Sequence, residues 1–117
     1  MAEPIHLYNL QIVGGTSNIS TDMSSNITSL PQNLDDTCSY CIQATFTGSP
    51  VGTIKLQGSN DPVLLGYTDI TETIVAVSAA GSYMVNVEFP AYSFVQLVYI
   101  KTSGSGVLNA KINAKRR

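Results

Sequence analysis

The chain has no tryptophan, a single histidine and two cysteines, and only 12% of its 117 residues are charged, about half the usual share. Each scarcity excludes a class of chemistry. His6 has no second histidine with which to hold a metal. No Gly-x-Ser-x-Gly, Walker-type glycine loop or His-Glu-x-x-His occurs. The chain is therefore expected not to be an enzyme and to need no cofactor or metal. Cys38 and Cys41 form one Cys-x-x-Cys, too few ligands for structural zinc, and strand-like sequence surrounds them where a redox motif would open a helix. On an extended segment the two thiols face opposite ways, so they are expected to be unlinked.

Absence of tryptophan also removes the usual flat surface for stacking sugar rings. Six tyrosines remain, and most alternate as strand core. Tyr67 and Tyr92 are the candidates for an exposed ligand contact, should the protein bind glycans. Five aspartates that could approach calcium (Asp22, Asp35, Asp36, Asp61, Asp69) fall in loops or at strand ends, where aspartate ordinarily shapes turns. Two glycosylation sequons, Asn18-Ile19-Ser20 and Asn26-Ile27-Thr28, are read as chance matches in a Ser/Thr/Asn-rich chain.

No apolar run approaches the roughly 18 residues that cross a bilayer as a helix, and no membrane partner is expected. Met-Ala-Glu-Pro lacks the basic and apolar regions of a secretion signal, so the product is expected to be made and folded in a cytoplasm. Net charge is −2, but it is unevenly spread. Residues 1–110 hold two basic groups against eight acidic, a formal −6, while Lys111, Lys115, Arg116 and Arg117 give the last seven positions +4. An acidic body argues against nucleic acid as a partner. The basic end, read as a C-terminal tail over 111–117, is a candidate protein-contact region.

What is present is alternation with period two. Strands are predicted over 7–13, 40–47, 53–59, 72–77, 82–89, 94–101 and 107–115, with turns at Gly14-Gly15, Gly48-Ser49-Pro50-Val51-Gly52, Asn60-Asp61-Pro62, Ser78-Ala79-Ala80-Gly81, Pro90-Ala91 and Thr102-Ser103-Gly104-Ser105-Gly106. Tyr83, Val85, Val87 and Phe89 should share one face, and the expected core includes Phe46, Leu56, Val85, Val87, Val98 and Ile112. Residues 16–39 read as a polar, loop-rich segment around one strand. No segment carries a helical period. The expected fold is all-β: a single antiparallel β-sandwich or jelly-roll-like domain spanning 1–117, with about seven or eight strands.

Over residues 39–115 the order of elements resembles a group of small β-sandwich virion-associated proteins encoded by double-stranded DNA bacteriophages. The residues that carry this are Tyr40-Cys41-Ile42-Gln43-Ala44-Thr45-Phe46-Thr47-Gly48-Ser49-Pro50-Val51-Gly52-Thr53, Lys55-Leu56-Gln57-Gly58-Ser59-Asn60-Asp61, Phe94-Val95-Gln96-Leu97-Val98-Tyr99 and Thr102-Ser103-Gly104-Ser105-Gly106-Val107-Leu108-Asn109-Ala110. In that group a tryptophan commonly precedes Thr-Asp; here Tyr67 stands before Thr68-Asp69. The resemblance implies a bacteriophage virion structural protein, a capsid-associated decoration or minor capsid protein. Its implied partners are further copies of itself, as a homo-oligomer, and other virion proteins, above all the major capsid protein. The alternative is a receptor- or glycan-binding module of a tail fibre or baseplate.

Overall fold

The computed structural model describes residues 3–9, 20–29, 31–35 and 37–116. Alternation in its two longest strands, β5 (Thr37–Gly48) and β11 (Gly106–Arg116), lets them pair antiparallel from Gly106↔Gly48 to Arg116↔Thr37. Opposite residues on such a ladder point to one side. Leu108 therefore lies beside Phe46, Ala110 beside Ala44 and Ile112 beside Ile42, all buried. β9 (Gly81–Glu88) adds beyond β5, while β1 (Glu3–Asn9) and β2 (Ser20–Asp22) share the far side of β11.

A second sheet centres on β6 (Val51–Ser59) and β10 (Phe94–Ser103), which pair Leu97 with Leu56 and Tyr99 with Ile54. Short strands flank it: β3 (Ile27–Thr28) and β4 (Gln32–Asn33) on β10, and β7 (Thr68–Asp69) and β8 (Val75–Val77) on β6. Fragments that share a position can be counted as one strand. The first sheet then runs first, eighth, third, sixth, and the second runs second, seventh, fourth, fifth. That is a jelly roll of two four-position sheets, as expected from the sequence. The inner faces of both sheets form one apolar cluster, with Tyr40, Ile42, Leu56, Leu97, Tyr99 and Ile112 among its buried members.

Glycine is required at two tight places. Any side chain at Gly52 would begin 2.2 Å from the Ile100 carbonyl and 3.0 Å from the Tyr99 hydroxyl, so the β6–β10 ladder closes only over glycine. Gly104 has φ +74° and approaches the Ser49 carbonyl to 2.0 Å at its Cβ position, which seats the β10–β11 turn on the β5–β6 turn.

The structure corrects several expectations. Phe89 is 74% exposed: it sits at φ 52° with its N–H donated to the Cys38 carbonyl (2.7 Å), and this left-handed step swings the ring off the face of Tyr83. Val85 and Val87 are only partly buried because β9 lies at a sheet edge. Val98 is buried but faces outward, in register with Lys55, and is not part of the central cluster. Residues 72–77 do not form one strand: Thr71–Thr73 makes a 3₁₀ turn before β8. Among the described residues of 16–39, three short strands precede β5 where one was expected; residues 10–19, which include 10–13 of the first predicted strand, and residues 30 and 36 lie outside the described residues. Lys111 and Lys115 lie in β11, as the strand expected over 107–115 has them, and Arg116 extends it, so the basic end is held between β1 and β5; Arg117 lies outside the described residues.

Candidate functional site

Chain chemistry gathers at one end of the second sheet and across its outer face. β6 ends at Ser59, and proline at 62 cannot extend a ladder. The chain makes a tight turn instead. The Asp61 carboxylate accepts the Leu64 N–H (3.1 Å), the Asp61 carbonyl accepts the Leu65 N–H (2.8 Å), and Ser59 Oγ accepts the Asp61 N–H (3.1 Å). This rigid turn holds Val63, Leu64 and Leu65 outward at 97%, 80% and 70% exposure. Beside it opens a cleft of about 300 Å³, lined by Leu65, Gly66, Asp69, Ile70 and Tyr92 among others.

The segment after the turn is tied to the sheet by Thr73. Its buried hydroxyl accepts the Leu56 N–H (2.9 Å) and donates to the Ile70 carbonyl (2.6 Å). β7 is thereby placed so that Asp69 stands opposite Gln57. A row of polar side chains crosses three strands on the outer face. Gln96 Nε2 donates to Gln57 Oε1 (2.8 Å), Gln57 Nε2 donates to one Asp69 oxygen (2.8 Å), and Lys55 Nζ donates to the other (3.0 Å). The Gln57 amide, and then the Lys55 ammonium, hold the Asp69 carboxyl below the usual carboxylate range. Gln96 is only 8% exposed although it faces away from the central cluster. Asp69 belongs to both the row and the cleft.

The tyrosines singled out by sequence are placed differently from one another. Tyr92 lines the cleft but is half-buried, edge-on to Tyr40 with ring centroids 6.4 Å apart, and the two hydroxyls are hydrogen-bonded. Its ring also packs where a Gly58 side chain would be. Tyr67 is absent from the cleft lining although both its neighbours are there, and its hydroxyl is buried without a partner among the described residues. Both rings are half-buried. Of the basic candidates, Lys111 is exposed on the outer face of the first sheet, remote in the fold from this row. Cys38 and Cys41 are both half-buried on β5 and are not joined in a disulfide. Asp22 and Asp61 cap local turns, as Ser24 N–H and Leu64 N–H donate to them (2.9 and 3.1 Å).

Burial keeps the core phenols neutral. It pushes Tyr83 up to about 12, and it raises Tyr40, with the Tyr92 hydroxyl adding to the effect. A phenol whose folded pKa exceeds its unfolded value of about 10 stabilises the fold fully below that value and loses this stabilisation as pH climbs. For Tyr83, whose hydroxyl donates to the Thr73 carbonyl (2.8 Å), the window is about pH 10 to 12. The urea midpoint is expected to fall steeply between about pH 10 and 12, and less steeply in Tyr83→Phe. A midpoint flat across that range would contradict the burial of these hydroxyls.

No family model matches the chain, and no curated protein matches it in sequence. Solved structures do resemble it in shape. A CBM4 structure aligns with TM-score 0.52 at 13% identity, over 75% of this chain and 61% of that one, less than two thirds of its length. PirA aligns with TM-score 0.51 at 12% identity, over 87% and 98%. The SPBc2 prophage-derived protein YomS aligns with TM-score 0.47 at 9% identity, over 81% and 90%. At such identities the first two share with this chain a β-sandwich fold.

Proposed function

We propose that this chain is a structural protein of a bacteriophage particle that works by docking on other virion proteins, as a capsid-associated decoration or minor capsid protein. The phage setting is supported by the sequence resemblance over residues 39–115. The docking role is carried by one observation: a hydrogen-bonded turn that holds Val63, Leu64 and Leu65 out in water. Three consecutive exposed aliphatics on an ordered turn mark a contact surface. The reading includes self-association and no catalytic step. Lys111, Lys115, Arg116 and Arg117 add a basic end to an acidic body, suited to seating on an acidic neighbour, with each exposed pair worth about 0.2–1 kcal/mol and weakened by salt.

A second reading is favoured by the polar row. Amides and a carboxylate fixed side by side on an open sheet face suit the hydroxyls of a glycan, with the half-buried Tyr92 lining the adjoining cleft.

One experiment separates the two. The chain is expected in purified particles by mass spectrometry. A double variant, Val63→Ser with Leu64→Ser, should keep wild-type stability to within about 0.5 kcal/mol, because both side chains are already in water, yet lower particle occupancy at least about tenfold. Unchanged occupancy would overturn docking through the turn. Absence from particles, together with glycan retention that Gln57→Ala abolishes, would replace the first reading by the second.

A further inference from the structure

Sheet edges are where a β-protein invites or refuses a partner. Three of the four edges here are interrupted among the described residues. β1 and β2 are separate pieces, with Pro4 inside β1 and a register shift between Pro4 and His6. β3 and β4 are two residues each, with Pro31 between them. β7 and β8 are split by the Thr71–Thr73 turn. β9 alone is unbroken: eight residues paired to β5 without a register shift, with no proline, no lysine and a single charge, Glu88.

We propose that β9 is a self-association edge, on which β9 of a second copy pairs antiparallel so that the first sheets of two molecules become continuous. This names the surface for the self-association assigned above and does not depend on what the turn at Val63 docks against.

Backbone directions fix the register. The Phe89 N–H is used toward β5, on the Cys38 carbonyl. Alternate residues of an antiparallel strand turn their N–H and C=O to opposite sides, so Ser82, Met84, Asn86 and Glu88 present theirs to the open edge. A two-fold axis at Val85 sets Met84 against Asn86 and Ser82 against Glu88 of the second copy, and every one of those groups then finds a partner. Glu88 meets serine rather than its own copy, so no like charges oppose. Val85 meets Val85, on the inner face, where Val85 and Val87 are now only partly covered by their own chain. Met84, exposed on the outer face, gains a neighbour.

Sedimentation velocity of the full chain at micromolar concentration is the test. Wild type is expected to be a dimer. Met84→Lys places a charge on the edge, and Asn86→Pro removes an N–H directed to the edge and none bonded to β5. Both should weaken dimerisation at least about tenfold while circular dichroism and the melting temperature stay near wild type. Gln43→Lys, an exposed position on the adjacent β5, should remain dimeric. If Asn86→Pro loses its fold, Met84→Lys decides alone. A wild type that is monomeric throughout, or that pairs only with another chain of the particle, overturns the proposal. So does a dimer that survives Met84→Lys.

Discussion

Leu97→Asp is expected to leave the chain unfolded at room temperature, whereas Val87→Asp should leave it folded. Leu97 is fully buried at the middle of β10, opposite Leu56 and inside the cluster between the sheets. A carboxylate there has neither water nor a partner, and its burial costs several kcal/mol, comparable with the whole stability of a domain of this size, about 5–15 kcal/mol. Val87 also points inward, but from an edge strand and only partly covered. An aspartate there reaches the rim with a small movement, and the loss should be about 1–2 kcal/mol. Far-UV circular dichroism and urea titration of the two variants measure the difference. A Leu97→Asp protein melting near wild type would mean that the two sheets do not close on each other as described.

The contrast shows what alternation can and cannot convey. Period two sorts residues into two faces, and for 40–46 and 107–114 it sorts them correctly, because each of those stretches has one wet face and one dry one. It does not say how deeply a face is covered, which depends on where the strand sits in its sheet. Val87 reads as core in sequence and is half-covered because β9 is an edge. Val98 reads as core and is buried on the opposite side, among neighbours on the outer face. Strands of two or three residues, such as β3, β4 and β7, are too short to have a period at all. Phe89 follows the alternation up to the residue where φ turns positive, an event no hydrophobic pattern records.

The candidate site was legible only in part. Pro62-Val63-Leu64-Leu65 follows a turn signal and could have been marked as apolar residues with no strand to bury them. The polar row could not. Gln57 and Gln96 are 39 residues apart, and Lys55 and Asp69 are 14 apart. They meet because β10, β6 and β7 stand side by side, which is a property of the jelly-roll order rather than of any local stretch. Tyr67 and Tyr92 lie outside the predicted strands, but loop position says nothing about whether a ring is used for packing, and Tyr92 is packed against Tyr40.

Truncation after Asn113 should be among the most damaging small changes, although the sequence presents those residues as a charged end. In the structure they complete a central strand. Ala114 is buried, stands opposite Tyr40 on one side, and is paired with His6 on the other. Lys115 is paired with Ser39 and Pro4, and Arg116 with Thr37 and Glu3. Removing them therefore takes ladder bonds from both neighbours at once, each worth about 0.5–1.5 kcal/mol net, and opens the inner face beside Tyr40. The loss is expected to be about 3–5 kcal/mol, with β1 released over half its length from β11, its only neighbour among the described residues. Lys115→Ser with Arg116→Ser keeps the backbone and should cost less than about 1 kcal/mol. Urea midpoints of the truncation and the double serine variant separate the two contributions. Equal, small losses in both would mean that β11 ends its useful pairing before Ala114, and the basic residues would then be a solvated terminus after all.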